Sequence, residues 1–176
     1  MATEVDIPVA QDDVRSCFDE DLGEFALVDA SSELANEEYA WLDDSGKDKG
    51  EFKKVYFDFD KYAIANTQEE AVAYDVNHVK SLLDVQQAKN PNACVTIVVE
   101  GHACHSAGSA LYNLALSEKR AKVLQDRLIA AGVARDAVKI VGRGQEVPAI
   151  VSGKIVTGSR DQQALNRRDE IRVIVA

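Results

Sequence analysis

Long apolar runs are missing from this 176-residue sequence. A stretch such as Phe25-Ala26-Leu27-Val28 falls far short of the roughly 20 residues a membrane-spanning helix needs, so no such helix is expected. The opening residues MATEVDIPVAQDD contain neither a basic region nor an apolar core, and no secretory leader is read there. A mature segment given a new initiator Met would look the same. Cysteine is scarce as well. Cys17, Cys94 and Cys104 form no C-x-x-C pair, which argues against a zinc ribbon, and they allow at most one internal disulfide. Cys17, in VRSCFDED, lacks the apolar flank of a lipid-attachment signal. Also absent are a Gly-rich phosphate loop, H-E-x-x-H, G-x-S-x-G and any basic patch interleaved with aromatics. Enzymatic activity and nucleic-acid binding therefore have no residue set to stand on, and no cofactor is expected.

Basic charge is nearly missing from one end of the chain. Residues 1–51 hold 16 Asp and Glu against 3 Lys and Arg, whereas residues 52–176 hold 14 against 17. The overall net charge of −10 thus belongs to the first segment, and the remainder is mildly basic. That segment is more than a solvated tail. Val14, Phe18, Leu22 and Phe25 recur at helical spacing, and Tyr39-Ala40-Trp41-Leu42 adds apolar surface, so part of it is expected to dock. DDSGKDKGE, residues 43–51, reads as a linker. The expected division is an acidic segment and linker over 1–51 and one folded domain over 52–176, a length that suits a single core.

Within the domain, strand and helix signals alternate. KKVYFDFD sets Val55, Phe57 and Phe59 against Lys54, Tyr56 and Asp58, the period of a half-buried strand. Thr67-Gln68-Glu69-Glu70 offers a capping box, and Val72, Val76, Val79, Leu82 and Leu83 predict a helix over about 67–88. CVTIVVE, residues 94–100, is apolar on both faces and reads as a central strand closed by Gly101. A second helical region, with a break expected near Ser117, carries Ala121, Leu124, Leu128 and Ala131 and stops at Gly132. Val138 and Ile140 mark a third strand, and Ile171, Val173 and Val175 a fourth. This order predicts an α/β fold: a two-layer sandwich in which a mixed four-stranded sheet carries its helices on one face.

The residues able to carry chemistry cluster around the second helix. Arg120 shares an i, i+4 row with Leu116 and Leu124, placing it at the edge of the apolar stripe, where a guanidinium requires an anionic partner. An internal carboxylate serves as well as a ligand on this reading. Asn113 either caps a turn or offers a donor and an acceptor near the helix start. His102, Cys104 and His105 invite a metal reading. The chain's other histidine, His78, lies on a helix, and Cys94 lies at the far end of the strand, so no fourth ligand is placed and no metal is expected.

VYFDFDKYAI (55–64), VEGHACHSAGSALYNLALSEKRA (99–121), GVARDAVKIVGRGQEVPAI (132–150) and NRRDEI (166–171) resemble, in order and spacing, the OmpA-like carboxy-terminal domain, which includes the peptidoglycan-associated lipoproteins. The resemblance spans residues 52–176 and implies non-covalent peptidoglycan binding, in the periplasm and in association with the outer membrane. It implies that the diaminopimelate of a stem peptide is held by an acid in a GHxD motif and an arginine in an LSxxRA helix, with help from a YN asparagine and the NRR arginines. Asn113, Arg120 and Arg168 match. The acid does not: counting from Gly101 puts Cys104 in its place, and counting back from Gly108 puts His105 there. His102, Cys104, His105, Asn113, Arg120 and Arg168 are the expected peptidoglycan-binding residues, with the acidic segment a candidate surface for an envelope protein partner. The alternative is a domain of this fold that has lost diaminopimelate binding and acts as a structural or protein-interaction module.

Overall fold

The computed structural model describes residues 52–175. The helical spacing at Val14–Phe25, the linker over 43–51 and Cys17 lie outside the described residues. Strand β1 (Val55–Tyr56) leads through a 3-10 turn at Asn66–Gln68 into helix α1 (Glu69–Lys89). Strand β2 (Val95–Gly101) and a 3-10 turn at His105–Ala107 precede helix α2 (Ala110–Ala130). Then come β3 (Val138–Gly142), the short strands β4 (Ile150–Val151) and β5 (Lys154–Ile155), and β6 (Arg168–Val175). Four strands form one sheet in the order β1-β6-β2-β3; β6 is antiparallel to both neighbours, and β2 and β3 run parallel. The expected mixed sheet is present. The β4–β5 hairpin, a separate two-stranded sheet, was not foreseen.

The core lies between the sheet and the two helices. Val72 and Val79 of α1 and Ala121, Leu124 and Leu128 of α2 pack on Val55, Ile97, Val99, Val138 and Ile171. At roughly 25 cal/mol per Å² of apolar surface removed from water, this cluster is the main stabilising element. Helix α1 starts at Glu69 without the capping box expected at Thr67, and no side chain caps it. The Gln68 side chain is used elsewhere, accepting from the Tyr56 N–H at 3.0 Å and so tying the helix start to β1. Glu69 and Glu70 in the first turn and Lys89 in the last complement the helix dipole.

Helix α2 is continuous through Ser117, where a break was expected. Ser117 Oγ donates back to the Leu114 carbonyl at 2.7 Å and accepts from the Gly144 N–H at 2.9 Å, so its competing hydroxyl is satisfied inside the helix and at the adjoining loop. The helix also sits unusually close to the sheet here. Gly101 and Gly142 are register partners on β2 and β3. A Cβ on Gly101 would lie 2.0 Å from the Ser117 carbonyl oxygen, and one on Gly142 would lie 2.5 Å from Glu118 Cγ. The two glycines let the first half of α2 press onto the strand ends, which sets the position of Arg120 one turn further on.

Candidate functional site

The buried stripe of α2 changes character along its length. Asn113, Ser117 and Arg120, with Leu116 among them, make its first half largely polar, and Ala121, Leu124 and Leu128 form its apolar second half. Ser109 caps the helix by accepting from the Tyr112 N–H at 3.2 Å. This cap places Asn113 against the preceding loop: its Nδ2 donates to the Gly108 carbonyl at 3.2 Å and to Gln145 Oε1 at 2.6 Å. Its Oδ1 is buried without a hydrogen-bond partner among the described residues.

Arg120 is fully buried. Its Nε donates to the Lys61 carbonyl at 2.8 Å, Nη1 to the His102 carbonyl at 2.8 Å and Nη2 to the Asp58 carbonyl at 3.3 Å. The guanidinium lies 5.1 Å from the centre of the Phe57 ring. Arg120 thereby joins the loop after β1 to the loop after β2. Burial pulls its pKa down to about 10, opposed by the negative charge of Asp169.

Asp169 was not singled out from the sequence. It is fully buried, and neither carboxylate oxygen has a hydrogen-bond partner among the described residues. Burial raises its pKa well above the usual carboxylate value, and Arg120 opposes the shift. The signal was present in the strand period. Asp169 stands two residues before Ile171 and so shares the core face of β6, where an acid is out of place.

The same alternation separates the two adjacent arginines. Arg168 Nε donates to Glu170 Oε1 at 2.5 Å, and Arg168 Nη1 to the Val147 carbonyl at 3.4 Å. Both Arg168 and Glu170 lie on the sheet face opposite the helices, where Glu100 also meets Arg143 at 2.8 Å and Arg172 at 3.4 Å. Burial would raise the Glu170 pKa, but its bond to Arg168 prevails and the pKa is lowered. Arg167, one position earlier, shares the side of Arg120. It donates from Nε to the Phe57 carbonyl at 3.0 Å and from Nη1 to the Arg160 carbonyl at 2.9 Å. Arg168 is therefore held away from Arg120, and Arg167 is the member of the pair the fold brings near it.

The three residues of the β2–α2 loop also part company. His102 continues the alternation of β2 to the Glu100 face, where its ring is buried with neither nitrogen hydrogen-bonded among the described residues. Burial, then the positive charge of Arg168, lowers its pKa to about 4, so the imidazole is neutral at physiological pH. Cys104 is buried on the Arg120 side. His105 is exposed, with Nε2 3.1 Å from Gln163 Nε2. Of the two positions the sequence left open, Cys104 is enclosed and within electrostatic reach of Arg120, whereas His105 faces solvent. Among the described residues, no three His, Cys, Asp or Glu side chains gather where they could hold a metal ion. No helix among them is long and apolar enough to cross a membrane.

Comparison with known proteins agrees with this architecture. Residues 56–162 match the model of the OmpA family. The chain is similar to the peptidoglycan-associated lipoprotein of Pasteurella multocida, 32% identical over 115 residues, which cover 65% of this chain and 69% of that protein. It is similar also to that of Pseudomonas putida, 32% identical over 152 residues, covering 85% and 81% respectively. Among solved structures, the peptidoglycan-associated lipoprotein of Burkholderia pseudomallei superposes with a TM-score of 0.54 at 25% identity, over 70% of this chain and 90% of that one. The OmpA-like domain of FopA1 from Francisella tularensis shares the fold, with a TM-score of 0.52 at 22% identity and 70% of each chain covered.

Proposed function

As the chain belongs to the OmpA family, we propose that it binds peptidoglycan non-covalently and tethers the outer membrane to the cell wall by recognising stem peptides. The names of its relatives support the ligand class, since peptidoglycan association is what those proteins are named for. The single observation that carries the site assignment is Arg120. It is a guanidinium at the polar end of the α2 stripe whose donors are only partly spent on the three carbonyls it meets. A planar donor fork of this kind suits a carboxylate.

The site takes shape from Arg120 and Asn113 on α2, with Cys104 beside them and His102 and Arg168 bracing the strand ends from the other face. His105 lies at the rim, where it can meet the remainder of a stem peptide. The role is one of binding rather than catalysis, and it places the domain in the periplasm beside the outer membrane. Residues 52–176 form the wall-binding domain on this reading. The acidic residues 1–51 are left to a protein partner in the envelope, because like charge would repel anionic stems.

A second reading has a specific observation in its favour. The loop carries no acid between Gly101 and Gly108, and Arg120 is closed off from solvent, as a structural residue would be. Under that reading the domain is a structural or protein-interaction module without diaminopimelate recognition. Titration of isotope-labelled protein with a soluble diaminopimelate stem peptide separates the two. Amide shifts concentrated at residues 101–113, the loop after β1 and the start of β6 support stem recognition. Absence of saturable shifts favours the module.

A further inference from the structure

Recognition of a diaminopimelate stem leaves one charge unassigned. The free end of that residue is an α-amino acid group, with an ammonium beside its carboxylate, and Arg120 can answer only the carboxylate. The β2–α2 loop offers thiol and imidazole where an acid would answer the ammonium.

An acid is present on the neighbouring strand. Asp169 is the register partner of Gly101, the last residue of β2, and it points to the helix side of the sheet. It is completely enclosed, yet neither carboxylate oxygen receives a hydrogen bond from the described residues. Leaving such a group unpaired is costly: a buried carboxyl answers by holding its proton, as burial favours for Asp169, unless a cationic partner is supplied to it. Arg120 is the charged group that acts on Asp169, and Asp169 is the first that acts on Arg120. Beyond them, Cys104, Arg167 and Asp60 complete the titratable surroundings of the guanidinium. On the α2 stripe, Asn113 presents a second enclosed acceptor with nothing to accept. A guanidinium with donors in reserve next to acceptors that lack donors is the complement of a zwitterion.

We propose that Asp169 is the acid of the recognition site, receiving the ammonium of an α-amino acid end group whose carboxylate Arg120 holds, with Asn113 Oδ1 as a further acceptor. The proposal rests on the stem-peptide reading above. It makes the position of the acid, on β6 rather than in the loop, the feature that sets this chain apart from the motif it resembles. Because Arg120 and Asp169 are both shut off from solvent, the ligand reaches them only when the chain covering them moves aside.

The test uses the full chain, calorimetry and two soluble peptides: a stem peptide ending in diaminopimelate and the same peptide acetylated on its free amine. Asp169→Asn, which keeps the side-chain shape, should weaken binding of the free-amine peptide about tenfold or more. It should leave the weaker binding of the acetylated peptide unchanged. Adding Cys104→Asp to that variant should restore most of the loss, because it returns an acid to the Arg120 side. Equal loss for both peptides in a protein with native circular dichroism would make Asp169 a structural partner of Arg120 and overturn the proposal. So would an Asp169→Asn variant that binds both peptides as the parent does, and in that case stem recognition itself stands. A parent that binds neither peptide defeats the stem-peptide reading first, and the role of Asp169 with it.

Discussion

Arg120 Nη1 donates to the carbonyl oxygen of His102 at 2.8 Å, so the first residue beyond β2 is held by a side chain from the helix that follows it. With Nε on Lys61 and Nη2 on Asp58, one guanidinium fastens two loops to one helix. The arginine proposed to bind the ligand is consequently a stability determinant as well.

Arg120→Ala is expected to destabilise the domain by about 2–4 kcal/mol, since it opens a cavity and orphans three carbonyls. Arg120→Lys should recover only part of this, because an ammonium cannot span the three acceptors as the planar fork does. Urea unfolding followed by circular dichroism measures both. An Arg120→Ala variant as stable as the parent would mean that the three carbonyl bonds carry no net energy. Any binding loss in the alanine variant must be read under conditions where it remains folded.

The close approach of α2 to the sheet makes a second prediction. Gly101→Ala places a methyl group 2.0 Å from the Ser117 carbonyl oxygen, a backbone atom that cannot step aside alone. The helix must shift, at a cost of roughly 2 kcal/mol or more. Gly132→Ala provides the contrast: a Cβ there meets no atom within 4 Å, and only the positive φ of 97° penalises it. Gly101→Ala should therefore lower the unfolding midpoint more than Gly132→Ala does.

These two sites show what was legible in advance. Periodicity placed the four sheet strands and both long helices, because each buries one face and the pattern of that face is local. The family-like blocks pointed to Arg120 and Asn113 for the same reason. Two features were hidden. The role of Gly101 depends on Ser117, 16 positions away, and the Arg120 bonds run to carbonyls, which every residue carries and no sequence pattern marks. Asp169 could have been found by extending the alternation of Ile171, Val173 and Val175 back by one step. Arg168 is offered by the match to the NRR arginines of the motif, and the same alternation sends it to the other face.

The loop substitutions distinguish the two alignments of the missing acid. Cys104 is enclosed on the Arg120 side and His105 is exposed. In an Asp169→Asn background, Cys104→Asp should strengthen binding of a diaminopimelate stem peptide several-fold, whereas His105→Asp should change it little. Titration calorimetry of the two variants decides the point, and a gain confined to His105→Asp would reverse the assignment.

His102 gives a pH-dependent outcome. Its pKa falls from 6.5 to about 4 on folding, so between those values the unfolded chain binds a proton that the native state refuses. Its contribution to stability is therefore lost as pH falls from about 6.5 to about 4, by an amount on the order of 3 kcal/mol. Asp75 acts in the opposite sense. Burial raises its pKa to about 6, so the native state holds a proton that the unfolded chain releases as pH rises above about 4. The parent should thus show a muted net response. His102→Asn should lose less stability than the parent between pH 6.5 and 4, and Asp75→Asn should lose more. Identical pH profiles for parent and His102→Asn, from urea unfolding at each pH, would show that His102 does not titrate in this window.

The most direct measurement is co-sedimentation of the protein with purified peptidoglycan sacculi, with and without an excess of soluble diaminopimelate stem peptide. The account predicts that the protein pellets with the sacculi, that the peptide releases it, and that Arg120→Lys pellets poorly at a temperature where it is folded. Failure to pellet, or pelleting that the peptide leaves untouched, would contradict stem recognition as the function of this domain.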